Sequence, residues 1–104
     1  MEGLENISFQ IIAAVGTARS FYIEAIDLAS EGKFDEANAR VAEGEEVFNT
    51  GHAAHGELLT KFAKGELPGM DILLTHAEDQ LMSAETFGIL AKQFIKLYER
   101  LKDR

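Results

Sequence analysis

Apolar residues recur at alternating intervals of three and four positions along most of the chain, which is the spacing of one face of an α-helix. The pattern is interrupted at Ser30-Glu31-Gly32-Lys33 and at Lys64-Gly65-Glu66-Leu67-Pro68-Gly69, which holds the one proline of the sequence. We therefore predict three helices, over residues 4–30, 34–64 and 69–102. Because both connections are short, we predict an all-α, antiparallel up-down-up bundle that forms a single domain over residues 1–104.

Each predicted helix has a seam, meaning the row of positions expected to face the other two helices. The first seam comprises Leu4, Ile7, Ile11, Ala14, Ala18, Phe21, Ala25 and Leu28. The second comprises Phe34, Ala37, Val41, Gly44, Phe48, Gly51, His55, Leu58 and Phe62. The third comprises Met70, Leu73, Ala77, Gln80, Ala84, Phe87, Ala91, Phe94, Tyr98 and Leu101. Glycine lowers helix propensity, so the two seam glycines are predicted to be close-packing positions, and Gly32 is predicted to be a left-handed C-cap.

The third helix is apolar over a wider arc than one seam needs. One flank carries Leu74, Leu81, Gly88 and Ile95, and the other carries His76, Ser83, Leu90 and Leu97. Three helices are not expected to bury both flanks, and an exposed apolar stripe usually marks an interface. We interpret the stripe as the surface of a homo-oligomer. The alternative is a wide core-facing arc in a monomer.

Composition and charge exclude several function classes. The 104 residues carry a formal net charge of −8, which argues against nucleic acid and against a basic membrane-surface helix. No apolar run approaches the roughly 20 residues that a bilayer requires, and the acidic start of the chain is unlike a signal peptide, so we expect a cytoplasmic protein. The absence of cysteine excludes a catalytic thiol, a thiolate zinc site and a phosphocysteine.

His76 is the leading candidate for chemistry. Asp79 and Gln80 follow it by three and four positions and therefore share its side of the helix. An imidazole beside a carboxylate can act as a base, a metal ligand or a phosphoryl acceptor. The structural alternative is a histidine at the bundle edge that is hydrogen-bonded to a neighbouring helix.

His52 and His55 form a second pair, one helical turn apart. Two such histidines can share a metal ion, although further ligands must then come from elsewhere. His55 lies on the second seam, so we expect it to be partly buried with a hydrogen-bond partner. His52 also raises the possibility of a two-component histidine phosphotransfer domain. The lysine that usually follows the histidine in that motif is absent here, and the nearest are Lys61 and Lys64.

The run His76-Ala77-Glu78-Asp79-Gln80-Leu81-Met82 resembles the active-site segment of the lactose/cellobiose-type IIA components of the bacterial sugar phosphotransferase system. Gly16-Thr17-Ala18-Arg19-Ser20 resembles a stretch of their first helix, and Glu31-Gly32-Lys33-Phe34-Asp35-Glu36-Ala37 resembles their first inter-helix turn. His52 falls where they carry an Ala-His pair. The resemblance extends over nearly the whole chain in unbroken register.

The resemblance implies a homotrimer of three-helix protomers. In that family, the histidine matching His76 takes a phosphoryl group from the phosphocarrier protein HPr and passes it to a cysteine of the IIB component. IIB then phosphorylates a sugar entering through membrane-bound IIC, here expected to be a β-linked disaccharide of the lactose or cellobiose/chitobiose type. The aspartate matching Asp79 lies at the trimer axis, where three copies surround a divalent cation, expected to be Mg²⁺.

Two departures from the family pattern bear on the chemistry at His76. Gln80 replaces the usual second histidine, and Glu78 replaces the usual glutamine; His55 also stands where the family often has glutamine. Gln80 can donate a hydrogen bond to a phosphoryl oxygen but cannot carry charge or accept a proton. Glu78 adds negative charge near the acceptor. A non-catalytic or regulatory interaction module with the same fold is therefore the alternative function.

Overall fold

The computed structural model describes residues 2–67, 69 and 71–102, and these ranges contain three α-helices and no strand. The helices are α1 (Glu2–Ser30), α2 (Phe34–Ala63) and α3 (Ile72–Leu101). They lie side by side in a rod of 56 × 19 × 18 Å. The all-helical, three-helix prediction is confirmed. Pro68 and Met70 lie outside the described residues.

Both α1 and α2 are followed, two residues after their last helical residue, by a glycine with a left-handed backbone. Gly32 has φ +82°, and the Lys33 amide donates to the Leu28 carbonyl at 2.9 Å. Gly65 has φ +73°, and the Glu66 amide donates to the Lys61 carbonyl at 2.9 Å. Such bonds satisfy carbonyls that the helix end leaves unpaired, and glycine adopts this conformation without steric cost. The C-cap predicted at Gly32 is confirmed.

The contacts between α1 and α2 follow opposite orders along the two helices. Tyr22 and Val15 of α1 pack on Gly44 and Gly51 of α2, so contacts nearer the start of α1 meet residues nearer the end of α2. Tyr22 also packs on Gly88 of α3. A β-carbon added at Gly44 or Gly51 would lie within 3 Å of a side chain of α1, which confirms that both are close-packing positions.

The buried face of α3 is rotated relative to the predicted seam. It consists of Leu74, Ala77, Leu81, Ala84, Gly88, Ala91 and Ile95. The flank containing Leu74 and Ile95 is therefore the core face, whereas Phe94 and Leu101 of the predicted seam are 37% and 48% exposed. The three-and-four spacing locates an apolar arc but does not locate its centre when the arc is wide.

The first two seams are corrected in the same way. In α1, Val15 and Tyr22 are buried, although neither was placed on the predicted seam. In α2, Phe62 is 64% exposed and lines an open apolar depression near the end of the bundle instead of the core. At Gly44 and Gly88 the space left by the missing side chains is filled by the ring of Tyr22, and at Gly51 it is filled by Val15.

Candidate functional site

The first turn of α3 is fixed by its N-cap. Asp71 has an extended backbone, and its Oδ1 accepts a hydrogen bond from the Leu74 amide at 2.7 Å. The Thr75 hydroxyl donates to the Asp71 carbonyl at 2.9 Å. An aspartate in this place satisfies an unpaired amide and places negative charge at the positive end of the helix dipole. The cap therefore anchors the turn that precedes His76.

The structure brings the two predicted site residues together. His76 and Asp79 line one open depression of about 440 Å³, together with Asp71, Ile72 and Thr75. Both side chains are exposed. Within the described residues, the His76 ring has no hydrogen bond and the Asp79 carboxylate has no ion pair. The imidazole is therefore accessible as a nucleophile, base or ligand, with a carboxylate beside it.

Gln80, the third member of the predicted group, is hydrogen-bonded to a residue of α1. Arg19 Nη1 donates to Gln80 Oε1 at 2.8 Å and to Ser83 Oγ at 3.4 Å. All three side chains are partly buried. The sequence prediction did not assign Arg19 a place in the site. The only indication in the sequence was that the stretch around Arg19 resembles the first helix of the family. The spacing of residues along one helix cannot predict a partner that lies 61 positions away.

Glu78, in contrast to Gln80, is hydrogen-bonded to a residue of α2. His55 Nε2 lies 2.7 Å from Glu78 Oε2, and the two side chains are 18% and 32% exposed. The partner expected for His55 is thereby identified. The Glu78 carboxylate is therefore held against α2.

An apolar depression adjoins this pair. Its volume is about 170 Å³, and Leu58, Phe62 and Leu74 contribute to its lining together with His55 and Glu78.

His52 lines neither of these two depressions. It is exposed, and its ring packs edge-on against the ring of Phe48, with 5.9 Å between the ring centroids. In the part of the chain that the structure describes, no three histidine, cysteine or carboxylate side chains gather as a metal site.

An apolar stripe runs along α3 from the His76 depression towards the C-terminus. We define this α3 stripe as Met82, Ile89, Leu90, Phe94, Leu97 and Leu101, all of which are exposed large hydrophobic residues. The predicted flank through Leu90 and Leu97 is therefore the uncovered one. An amphipathic helix with a second apolar face is typical of helix-to-helix association. None of the described helices is both long and apolar enough to cross a membrane.

The arrangement suits group transfer at a surface. An accessible imidazole, a hydrogen-bond donor one turn away and a carboxylate at the same opening can accept, hold and release a small anionic group. The group would approach from solvent, because the depression is open and exposed side chains line it.

Known proteins resemble the chain over nearly its full length. The profile of the PTS system lactose/cellobiose-specific IIA subunit family matches residues 6–99. The oligo-beta-mannoside-specific EIIA component of Bacillus subtilis is 39% identical over 91% of this chain and 86% of its own length.

Solved structures agree with this match. The cellobiose-specific enzyme IIA of Bacillus anthracis superposes with a TM-score of 0.95 and 40% identity, covering 100% of this chain and 95% of that one. A chain from the IIA(Chitobiose)-HPr complex of Escherichia coli superposes with a TM-score of 0.78 and 29% identity, covering 95% of this chain and 96% of that one. The chain therefore belongs to the lactose/cellobiose-specific IIA family of the phosphotransferase system.

Proposed function

We propose that this protein is a cytoplasmic phosphohistidine carrier that uses His76 as its acceptor. A ring nitrogen of His76 attacks the phosphorus of phospho-HPr, so that a new P–N bond forms as the bond to the donor breaks. The cysteine thiolate of a IIB component then attacks the same phosphorus, a P–S bond forms, and the His76 nitrogen leaves. IIB passes the group to a sugar entering through membrane-bound IIC.

The accessibility of His76 is the observation that carries this proposal. Its imidazole is exposed and forms no hydrogen bond within the described residues, so an incoming partner can reach the ring without displacing another group. Phosphoryl transfer depends on positioning and charge stabilisation more than on covalent chemistry from the protein. The pairing of Glu78 with His55 supports the proposal as well, because it holds this carboxylate against α2. Residues two apart on a helix do not face each other, so Glu78 and His76 are on different sides of α3.

We infer that the protein works as a homotrimer of up-down-up protomers whose α3 stripes pack together. The order of contacts between α1 and α2 supports the antiparallel arrangement. Asp79 lies on the same exposed side of α3 as Leu90 and Leu97, at helical spacing. Three copies of α3 around one axis would bring three Asp79 carboxylates together and would bury the stripe.

A divalent cation, most suitably Mg²⁺, fits such an axis. One protomer's described residues hold no group of three ligands, so the site would have to be shared between copies. Asp79 is the residue that would hold the cation, since its carboxylate is exposed and makes no ion pair within the described part of the chain. The cation would relieve repulsion between the carboxylates, and oxygen ligands are those that Mg²⁺ prefers.

Phosphorylation with purified components tests the proposal. The protein, incubated with phosphoenolpyruvate and the general phosphotransferase proteins including HPr, should gain one acid-labile phosphoryl group per protomer. His76→Ala should gain none. His52→Ala is the matched control, because His52 is another exposed histidine of the chain, and it should behave as wild type.

Other outcomes identify the alternatives. Phosphorylation that survives His76→Ala would refute the assignment of the acceptor. Its loss in His52→Ala, with transfer from a response regulator, would instead identify a two-component phosphotransfer domain. A wild-type protein that takes no phosphoryl group from any general donor, yet binds a specific partner, would be a non-catalytic interaction module.

The relatives are named for different sugars, namely oligo-beta-mannoside, cellobiose and chitobiose. We propose a β-linked disaccharide as the sugar of the system. A IIA carrier of this kind exchanges a phosphoryl group with HPr and IIB, so the choice among such sugars would reside in the IIB and IIC components.

A further inference from the structure

Arg19 is a partly buried cation whose hydrogen bonds go to neutral side chains. It donates from Nη1 to Gln80 Oε1 at 2.8 Å and to Ser83 Oγ at 3.4 Å. Although the chain has 18 aspartate and glutamate residues, none forms an ion pair with Arg19 in the described part of the structure. Arg40, by comparison, pairs with Glu24 and Glu43 on the surface. The placement of Arg19 beside a neutral amide therefore calls for a reason other than charge neutralisation.

The hydrogen bond to Arg19 fixes which way the Gln80 amide is turned. A guanidinium only donates, and the amide NH₂ also only donates, so the atom that faces Arg19 must be the amide oxygen. The NH₂ of Gln80 is then directed away from Arg19. No hydrogen bond within the described residues uses this nitrogen. The two N–H donors of Gln80 Nε2 are therefore free to bind an acceptor on another group.

A phosphoryl group carried by His76, one helical turn before Gln80, would lie within reach of these donors. Residues four apart on a helix are neighbours, and side chains lean toward the N-terminus of their helix, so Gln80 leans toward the turn of His76. A phosphoryl group on His76 carries three oxygens with substantial negative charge. A neutral donor at position 80 can bind one of these oxygens at any pH at which the protein is folded.

We propose that Arg19 is a positioning residue for phosphoryl transfer, acting through Gln80. It holds the amide oxygen so that Gln80 Nε2 presents its N–H to a phosphoryl oxygen on His76. This inference rests on the proposed function. In the transfer step the P–N bond at His76 forms while the donor's bond to phosphorus breaks, and Gln80 neither gains nor loses a proton. A donor that is already oriented stabilises the charge on the transferring oxygens without reorganising.

A double-mutant cycle tests whether Arg19 acts through Gln80. We expect Arg19→Gln and Gln80→Ala each to lower kcat for transfer from phospho-HPr about ten-fold, with little change in KM, because the hydrogen bond strengthens in the transition state. If Arg19 acts through Gln80, the double variant should lose no more than either single variant. Arg40→Gln is the matched control and should have wild-type kinetics.

Gln80→Glu separates positioning from a merely structural role. The carboxylate would pair more strongly with Arg19, so thermal stability should be kept or raised, while the N–H donors are lost and kcat should fall. A second readout is the ¹⁵N–¹H NMR signal of the Gln80 side-chain amide. It should shift when wild-type His76 is phosphorylated, and this shift should be lost in Arg19→Gln.

The outcomes distinguish this inference from the proposed function. If wild-type His76 accepts no phosphoryl group, both are refuted. If His76 is phosphorylated normally, but the losses of Arg19→Gln and Gln80→Ala multiply in the double variant, the positioning role alone is refuted. Wild-type kcat in Gln80→Glu would also overturn it.

Discussion

Tyr22 of α1 lies directly against Gly44 of α2, so closely that a β-carbon added to the glycine would be 2.6 Å from Cε1 of the ring. On its other side the ring meets Gly88 of α3, where an added β-carbon would be 2.9 Å from Cζ. The side chain is 2% exposed. An aromatic ring of α1 thus lies between a glycine of α2 and a glycine of α3, and neither glycine has room for a side chain unless the ring shifts.

Gly44→Ala should destabilise the protein. Overpacking against Tyr22 costs about 1–3 kcal/mol, and the better helix propensity of alanine returns only about 1 kcal/mol of this. Gly56→Ala is the matched control, because Gly56 lies in the same helix with no atom within 4 Å of its added β-carbon. It should gain up to about 1 kcal/mol. Urea denaturation measures both, and equal effects would contradict the packing argument.

The stability of the protein should fall at alkaline pH because of Tyr22. Burial, and secondarily the nearby charge of Glu45, raises the pKa of the Tyr22 phenol above its ordinary value. Because the folded pKa exceeds the unfolded one, the contribution is fully present below about pH 10 and is lost as the pH rises through the folded pKa.

Unfolding free energies measured between neutral pH and the alkaline limit of stability should fall more steeply for wild type than for Tyr22→Phe. Absorbance titration of Tyr98→Phe, which leaves Tyr22 as the remaining tyrosine, should show ionisation above the ordinary tyrosine range. Parallel stability curves for wild type and Tyr22→Phe would contradict this assignment.

His55 and Glu78 should be energetically coupled. Their 2.7 Å contact is partly buried, and a hydrogen bond in that setting contributes about 1 kcal/mol. A double-mutant cycle of His55→Ala and Glu78→Ala by urea denaturation should therefore give a coupling of that size. The more exposed Arg40–Glu24 pair provides the comparison and should give a smaller value. No coupling between His55 and Glu78 would show that the contact is incidental.

A charge on the α3 stripe should break the proposed trimer. Leu97 is 47% exposed and would be buried between copies, so Leu97→Lys should shift the mass measured by light scattering toward the monomer. Leu59 is 55% exposed on α2, away from the stripe, and Leu59→Lys should leave the mass unchanged. A wild-type protein that is monomeric at working concentration would refute the trimer itself.

Removal of divalent metal should destabilise the wild-type trimer but not an Asp79→Leu variant. A cation bound only by the folded trimer raises its thermal midpoint, and chelation removes that gain. With leucine at the axis the repelling carboxylates are absent, so the midpoint should be high and independent of Mg²⁺. If Asp79→Leu still responds to Mg²⁺ as wild type does, Asp79 is not the ligand.

The sequence by itself determined the number of helices, the turn at Gly32, the close-packing glycines Gly44 and Gly51 of α2, and the side of α3 that carries His76 and Asp79. These follow from helical periodicity and from the backbone freedom of glycine, which are local properties of the chain. It also indicated that one flank of α3 would stay exposed, because three helices have too little surface to cover both.

Only the tertiary structure decided which flank of α3 is exposed and which side chains lie around His76. The buried face of α3 lies on the side of Leu74 and Ile95, where Gly88 packs against Tyr22, a contact between distant positions of the chain. Arg19 meets Gln80 across 61 residues, and His55 meets Glu78 across 23. Contacts of this kind depend on how helices are rotated and shifted against one another. Packing sets that geometry, and spacing along a single helix does not contain it.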